Sequence, residues 1–466
     1  MFYELIDSEK IAVVSSENAT YTYSELKELV NSIGDKIPTR SLVFCLCHNC
    51  PASLAGYLAC LNKKAVPLLL DRRINEELLT SLINAYQPGY IYCPKEMEAE
   101  FAEYEVEDTI LDYMLLRRKE YVAISLFEDL ALLLTTSGST GSPKLVRQSY
   151  TNIQSNAEAI VEYLEITNEE RPITTLPMNY TYGLSIINSH LQAGATILMT
   201  DLPMNTKAFW DFFKNMKATS FGGVPFTYEM LKKVHFFNME LPDLRYMTQA
   251  GGKLSPELHL EYAKWCEQRS KKFVVMYGQT EATARMAYLP YEYSADKYGS
   301  VGRAIPGGEL LLKDVNNEII TTPETVGEMV YRGPNVTLGY AETAADLSKK
   351  DERHGVLETG DMAKFDKDGF FYIVGRKKRF LKIFGNRVNL DEVDQLLKRN
   401  FEDMEAASSG VDDHMTIFVT NESAVSEVKK WIAATTHLSE TAFSVKYIEA
   451  IPKNEAGKVI YKNLPL

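Results

Sequence analysis

Buried strands alternate with amphipathic helices along the first three quarters of the chain. The apolar run SLVFCLC at 41–47 predicts a strand, and the PASLAGYLACLNKKA segment that begins at Pro51 predicts a helix. The alternation continues through AVPLLL, NEELLTSLINAYQ and GYIYC, and it recurs between Pro172 and Phe226. Parallel strands need crossover connections, so this order favours parallel sheets covered by helices. The sequence therefore predicts an α/β fold.

From about Gly299 the pattern changes to short strands separated by Gly and Pro turns. Asp368 and Gly369, between two alternating runs, predict a hairpin. A basic group, Arg376 to Arg379, follows directly, and then a turn leads into a helix. We place a domain boundary at Lys378. The prediction is a large N-terminal domain, 1–377, of parallel-rich sheets covered by helices with a β-rich subdomain, followed by a small mobile α+β domain, 378–466.

Composition excludes several classes of protein. The 466 residues include 50 Lys and Arg against 63 Asp and Glu, a formal net charge of −13. Nucleic-acid binding needs a basic face, which this charge disfavours. The N-terminus lacks a signal-peptide pattern, and no apolar run approaches the roughly 20 residues of a membrane span. We expect a cytoplasmic protein, and its six cysteines are too few for a disulfide scaffold.

The segment from Cys45 to Cys50, CLCHNC, combines residues that can ligate a metal. The stronger interpretation is structural, because Cys45 and Cys47 belong to a buried strand. Asn49 and Pro51 then fit the N-cap and first turn of the following helix. No second His/Cys cluster follows downstream, so a zinc site is the weaker alternative.

The most specific stretch is LLLTTSGSTGSPKLV, from Leu132 to Val146, where an apolar strand enters a loop of glycines and hydroxyls. Gly138 and Gly141 let the backbone approach an anion, and the hydroxyls can hydrogen-bond phosphate oxygens. The P-loop of kinases requires Gly-Lys followed by Ser or Thr, whereas Pro143 separates this loop from its lysine. The predicted polyphosphate ligands are Thr136, Ser137, Gly138, Ser139, Thr140, Gly141 and Lys144.

Four further motifs follow this loop: MYGQTE at 276–281, LETGD at 357–361, GRKK at 375–378 and PKNEAGKV at 452–459. Together with TSGSTGSPK they resemble, in order, the motifs of the acyl-adenylate-forming (AMP-binding) superfamily. That group includes acyl-CoA synthetases, stand-alone adenylation domains and luciferases. The resemblance implies ATP-dependent activation of a carboxylic acid to an acyl-adenylate, release of pyrophosphate, and transfer of the acyl group to a thiol.

The resemblance also implies roles for single residues. Glu281 is implied to hold Mg²⁺, which suits a carboxylate near phosphate, and Thr280 to contact the α-phosphate. Tyr277 is implied to stack on adenine. Asp361 is implied to bind the ribose hydroxyls, with help from Arg376. The other implied nucleotide-binding residues are Gly251, Gly252, Lys253, Gly278 and Gln279.

Three residues near the C-terminus relate to the two half-reactions. In the family, the lysine that matches Lys458 bridges the negative charge that develops during adenylate formation, so we expect a catalytic role in that step only. Lys378 occupies the hinge position. Rotation of the small domain about it would withdraw Lys458 and present the face around Gly385 to the thiol acceptor.

By the same resemblance, two segments and the end of the YGQTE motif line the acid pocket. The family's histidine is Tyr180 here. Amino-acid-activating domains carry an Asp where our alignment places Thr181, so an α-ammonium would be left without a buried partner. This favours a plain fatty, hydroxylated or aryl acid. The predicted pocket residues are Tyr180, Thr181, Tyr182, Gly183, Gly223, Val224, Ala282 and Thr283.

The thiol acceptor stays open at the level of sequence. The chain has no GxDSL-type phosphopantetheine motif, so the thiol must come from another molecule. CoA is the expected co-substrate, and a separate acyl or peptidyl carrier protein is the alternative. A non-catalytic nucleotide-binding homologue is a second alternative, which the joint presence of Lys144, Glu281, Asp361 and Lys458 disfavours.

Overall fold

The computed structural model describes residues 1–120, 123–135, 144–383, 386–401, 403–436, 439–453 and 459–465. These residues form two compact units. The first comprises the described residues of Met1–Ser137, Gly141–Leu310 and Tyr331–Leu357, and the second comprises those of Leu311–Val330 and Glu358–Leu466. The division lies upstream of Lys378, so a hinge at that residue stays a prediction.

Ten α-helices lie in the described ranges. They are α1 Tyr23–Gly34, α2 Pro51–Asn62, α3 Glu76–Tyr86, α4 Tyr150–Leu164, α5 Thr181–Gln192, α6 Lys207–Asn215, α7 Pro225–Lys233, α8 Pro256–Glu267, α9 Leu390–Asn400 and α10 Val425–Thr436. None of these helices has the length and apolarity needed to cross a lipid bilayer.

The same ranges hold 25 strands. They are β1 Ile11–Ser15, β2 Thr20–Thr22, β3 Leu42–Cys47, β4 Val66–Asp71, β5 Tyr90–Pro94, β6 Tyr104–Ile110, β7 Tyr113–Arg118, β8 Leu130–Thr135, β9 Leu145–Ser149, β10 Ile197–Met199, β11 Ser220–Gly223, β12 Tyr246–Gln249, β13 Lys272–Tyr277, β14 Ala287–Tyr288, β15 Arg303–Ala304, β16 Glu309–Lys313, β17 Gly327–Arg332, β18 Gly339–Ala341, β19 Val356–Phe365, β20 Phe371–Arg376, β21 Phe380–Ile383, β22 Asn386–Asn389, β23 Ala406–Val411, β24 His414–Val419 and β25 Phe443–Tyr447.

The first unit contains an eight-stranded sheet in the order β18-β9-β8-β4-β3-β5-β7-β6. Its centre, β8-β4-β3-β5, is parallel, and its flanks are antiparallel. Strand β3 is apolar throughout because both faces are covered. Val43 and Cys45 face a core that includes α1 and α2, while Leu42 and Phe44 face the core of α3. The predicted α/β fold with parallel-rich sheets is confirmed.

A second sheet of this unit, β11-β12-β13-β14-β15, is parallel across its first three strands and antiparallel beyond them. A smaller sheet joins β10, β1 and β2. The carboxyl end of β13 leads directly into the YGQTE motif. Polar residues that follow β11 and β13 therefore emerge at the same edge of the sheet, the usual place for ligand sites in such folds.

Strand β6 forms one edge of the eight-stranded sheet. Its pairing with β7 is interrupted by a register shift between Val106 and Asp108. Glu105 and Glu107 on this strand contact Arg117 on β7 at 2.5 and 2.9 Å. The outer strand is thus irregular and charged.

The CLCHNC segment serves the structure of the first unit. Helix α2 begins at Pro51, but its N-cap is Cys50, whose Sγ accepts from the Ser53 N–H at 3.4 Å. The prediction of Asn49 as the cap is wrong. The Asn49 amide donates instead to carbonyls of Leu176 and Thr200, because the buried loop needs those acceptors satisfied.

The second unit holds most of the sheet β16-β17-β19-β20 together with the C-terminal α+β part. The predicted hairpin joins β19 to β20 around Asp368 and Gly369, the latter at φ +78°. In the C-terminal part, β24 pairs antiparallel with β23 and parallel with β25. Residues of α9 and α10 complete an apolar core with these strands.

One buried cation joins β9 to the 338–352 segment of the first unit. Arg147, on β9, is fully buried and donates to the carbonyls of Leu338, Tyr340 and Lys349. Its guanidinium also contacts the Glu352 carboxylate. The planar group thus satisfies several acceptors of the 338–352 segment at once, which a lysine could not do.

We expect Arg147→Met to lower the free energy of unfolding by about 3 kcal/mol, because several buried carbonyls lose their donor. Urea denaturation followed by circular dichroism measures this. Arg117→Met on β7 is the matched control, since that arginine forms only surface pairs, and it should leave the midpoint near wild type. Equal midpoints for the two variants would contradict the role given to Arg147.

Candidate nucleotide and acid site

Glu281 lies in a one-turn 3₁₀ helix, Thr280–Ala282, directly after β13. Its backbone carbonyl accepts three hydrogen bonds, from the N–H and hydroxyl of Thr337 at 3.0 and 2.9 Å and from Arg353 at 3.0 Å. Thr283 closes the turn at φ +64°. The backbone of the predicted magnesium ligand is therefore held from a segment more than 50 residues away.

Tyr340 joins two residues that the sequence predicts for phosphate and metal. Its hydroxyl donates to Glu281 Oε1 at 2.7 Å, and the Lys144 ammonium lies 3.8 Å from its ring centroid. Arg353 lies 4.6 Å from the same ring. Burial, and then the nearby Glu281 carboxylate, raise the pKa of Tyr340 to about 12, so the phenol stays a donor at neutral pH.

The Glu281 carboxylate fits a magnesium ligand. Tyr340 occupies Oε1, and no described residue donates a hydrogen bond to Oε2. Mg²⁺ binds in proteins through one or two carboxylates together with phosphate oxygens. One positioned carboxylate close to a lysine is thus a suitable donor set for a metal bound with a polyphosphate.

Asn335 supports the segment that follows Glu281, although no local sequence pattern predicts this role. Its side-chain amide donates to the carbonyls of Ala282 and Arg285 at 2.8 Å each. Tyr331 donates to its Oδ1 at 2.7 Å, and Thr283 donates to its backbone carbonyl at 2.7 Å. The fully buried amide therefore fixes the 282–285 loop.

The predicted acid-pocket residues Tyr180, Tyr182 and Val224 lie in one apolar cluster with Met276. The Tyr182 hydroxyl donates to the Thr248 carbonyl at 2.8 Å, which fixes the ring against β12. The structure brings these side chains together from α5, the β11–α7 connection and β13. The side chains predicted for the acid pocket thus form one aromatic and apolar cluster.

The remaining predicted pocket residues contribute mainly backbone and packing. The Thr181 hydroxyl donates to the Thr283 carbonyl at 2.8 Å, so it links α5 to the YGQTE turn. Ala282 is buried. Gly183 packs against the backbone of Pro177, and a side chain at Gly223 would collide with Tyr228.

The predicted nucleotide-binding segment 251–253 adjoins this cluster. Gly251 has φ +83°, and a Cβ there would lie 2.7 Å from the Tyr180 hydroxyl, so only glycine fits. Gly252 accepts from the Gln249 amide at 2.9 Å, and Lys253 is exposed. The segments predicted to bind the nucleotide and the acid thus meet at Tyr180.

The YGQTE motif at the end of β13 is compact. The Gln279 amide approaches the Tyr277 hydroxyl at 3.4 Å. A Cβ at Gly278 would lie 1.6 Å from the Ala284 carbonyl oxygen. The backbone of Ala284 therefore packs directly against Gly278, and this contact fixes the direction of the Thr280–Ala282 turn.

In the second unit, the two residues predicted for ribose form a pair. Asp361 and Arg376 are register partners across β19 and β20, with Nε 2.7 Å from Oδ1. The Asp361 carboxylate is only 4% exposed, whereas Arg376 is 57% exposed. Lys378 follows in the 3₁₀ turn Lys377–Arg379, where Lys377 and Lys378 are exposed and Arg379 is buried.

Several predicted residues lie outside the described residues. They are Thr136, Ser137, Gly138, Ser139, Thr140, Gly141, Gly385 and Lys458. Their roles stay predictions.

Comparison with known proteins extends the match beyond single motifs. Across residues 7–341 the chain matches the sequence profile of the AMP-binding enzyme family. It is 30% identical over 291 residues to an oxalate–CoA ligase of Arabidopsis thaliana, a match that covers 61% of this chain. The chain spans little more than half of that relative, 55% of its length.

Two other similarities cover nearly the whole chain. A 2-succinylbenzoate–CoA ligase of Oceanobacillus iheyensis is 24% identical over 482 residues, which is 98% of this chain and 97% of the relative. The O-succinylbenzoate CoA synthetase MenE of Bacillus subtilis, solved with AMP, superposes with a TM-score of 0.78 at 21% identity, covering 98% of this chain and 95% of that one. The fold agrees along the full length, and the profile covers more than half of the residues. The chain therefore belongs to the AMP-binding enzyme family.

Proposed function

We propose that the protein activates a carboxylic acid with MgATP and transfers the acyl group to the thiol of CoA. A carboxylate oxygen attacks the α-phosphorus, the α–β phosphoanhydride bond breaks, and pyrophosphate leaves. The thiol then loses its proton, its sulfur attacks the acyl carbon, and AMP leaves. The products are an acyl-CoA thioester, AMP and pyrophosphate.

One observation carries this proposal, the contact of Lys144 and Glu281 through Tyr340. The ammonium lies on the ring and the carboxylate accepts from the hydroxyl of the same side chain. Sequence motifs 137 residues apart, one predicted for phosphate and the other for metal, thus converge on one place. Such convergence supports a polyphosphate site better than either motif alone.

The proposal gives each of four described residues a part. Glu281 offers one carboxylate oxygen to Mg²⁺, which when bound neutralises charge on the phosphates. Lys144 supplies a point cation to the phosphate oxygens. Thr280, next to Glu281, contacts the α-phosphate. Tyr180 separates the nucleotide from the acid, since it touches Gly251 on one side and lies in the aromatic cluster on the other.

The names of several relatives favour CoA as the acceptor. The similar proteins include CoA ligases for oxalate, 2-succinylbenzoate and long-chain fatty acids. These acids differ widely, so the relatives support the acceptor more than they support any one acid. Lys458 would serve adenylate formation, and Lys378 and Gly385 would serve the change between half-reactions.

The proposal is tested by pyrophosphate release from MgATP across a panel of carboxylic acids, with and without CoA. We expect release with some acid, formation of an acyl-CoA thioester, and a loss of about 10²-fold or more in Lys458→Ala, because an electrostatic group at the reacting phosphate is removed. Lys462→Ala, an exposed lysine four residues further on, is the matched control and should match wild type.

The outcomes separate the parts of the proposal. Acyl-adenylate that CoA leaves untouched would overturn the choice of CoA and point to a carrier protein. No release with any acid would overturn acid activation itself and favour a non-catalytic nucleotide-binding protein. Equal activity of Lys458→Ala and Lys462→Ala would contradict the role given to Lys458.

Tyr340→Phe should raise the Mg²⁺ concentration needed for half-maximal adenylation about tenfold, because the ring stays under Lys144 while Glu281 loses its hydrogen bond. Glu281→Gln should have the larger effect on the same titration. The control is Tyr298→Phe, at an exposed tyrosine of the same unit. A Tyr340→Phe enzyme with an unchanged Mg²⁺ profile would show that the contact does not position the carboxylate.

A further inference from the structure

Arg285 is a buried cation without a carboxylate. Three arginines in the described ranges are buried, namely Arg147, Arg285 and Arg379, at 0, 3 and 9% exposure. Arg147 pairs with Glu352, and Arg379 pairs with Asp391 and Asp394. No described Asp or Glu forms an ion pair with Arg285, and its buried Nε has no hydrogen-bond partner in the structure. Leaving a charge in this condition is costly.

The surroundings of Arg285 are aromatic and neutral. Its guanidinium carbon lies 3.9 Å from the ring centroid of Tyr182. Burial raises the pKa of Tyr163 to about 12, and the charge of Arg285 and its hydrogen bond with this tyrosine only partly oppose the rise. Burial raises the pKa of Tyr180 and Tyr182 as well, again with partial opposition from Arg285. The rings are therefore uncharged at pH 7 and do not supply the missing negative charge.

Arg285 belongs to the wall of the predicted acid pocket. It lies two residues after Thr283, and Asn335 fixes its backbone carbonyl at 2.8 Å. Its guanidinium lies on Tyr182, whose neighbours in the apolar cluster include Tyr180 and Val224. A small cavity of about 10 Å³, enough for one water, adjoins Arg285 and is also lined by Ser185 and Thr248.

We propose that Arg285 binds a second carboxylate of the acid substrate, so that the substrate class is a dicarboxylic acid. This inference rests on the proposed function. One carboxylate attacks the α-phosphorus, and the other stays ionised against the guanidinium and leaves in the product unchanged. The planar donors of arginine match a carboxylate in a bidentate arrangement.

The same charge explains what the pocket rejects. An α-ammonium group would meet a buried cation, and the hydroxyl of Thr181, which donates to the Thr283 carbonyl, carries no negative charge to offset it. A monocarboxylic acid would leave Arg285 buried and unpaired. A second negative group on the substrate supplies the carboxylate that no described residue offers to Arg285.

The experiment compares diacids with monoacids of equal chain length, such as glutarate with valerate and adipate with hexanoate, together with isophthalate and benzoate. The kcat/KM for pyrophosphate release is measured for wild type, Arg285→Gln, Arg285→Lys and the control Arg303→Gln at an exposed arginine of the same unit. We expect wild type to prefer a diacid about 100-fold. Arg285→Gln should lose most of that preference and Arg285→Lys should keep part of it, with KM for ATP unchanged in both.

Two results would overturn the inference while the proposed function stands: a wild-type enzyme that prefers monoacids, or an Arg285→Gln variant that loses activity equally on both members of a pair. If the proposed function itself fails, the result is different, because no acid then gives pyrophosphate release. A thermal-shift titration with the same pairs covers that case. Diacids should raise the Tm of wild type more than monoacids do, and the same rise in Arg285→Gln would contradict the role of Arg285.

Discussion

The buried guanidinium of Arg147 is the constraint on which the rest of the site depends. By holding the carbonyls of Leu338, Tyr340 and Lys349, it fixes the 338–352 segment against β9. Lys144 immediately precedes β9, and Tyr340 is a register partner of Val146 on that strand. The position of Tyr340 between Lys144 and Glu281 therefore follows from an interaction that touches neither of them.

Two buried arginines show how differently a protein can treat the same side chain. The Arg147 guanidinium is paired with backbone carbonyls and with a carboxylate, so its charge stabilises the fold. Arg285 lies against an aromatic ring, and its Nε has no hydrogen-bond partner among the described residues. The side-chain amide of Asn335 holds the loop that carries Arg285. A binding site is pre-organised when such a group is already held in place. The free-energy cost of leaving the group unsatisfied is then met on folding and not on binding.

Local sequence patterns predicted the strands and helices of the fold. They did not predict the contacts between residues that are distant along the chain. The run at 41–47 identified β3 correctly because a strand covered on both faces must be apolar throughout. The turn with Glu281 was identifiable because its motif is contiguous. Arg285 and Asn335 were missed, since a lone arginine or asparagine carries no local sign of burial and both residue types are usually exposed. Asn335 contacts the backbone of Arg285, and the two residues lie about 50 positions apart along the chain.

The irregular edge strand β6 bears on how copies of this protein meet each other. An incoming strand would need a row of evenly spaced amides and carbonyls, and the register shift between Val106 and Asp108 breaks that row. It would also bring its own backbone beside the carboxylates of Glu105 and Glu107. The wide sheet that supports the site thus ends in an edge that resists open-ended strand addition, so crowded molecules have no template there for fibril growth.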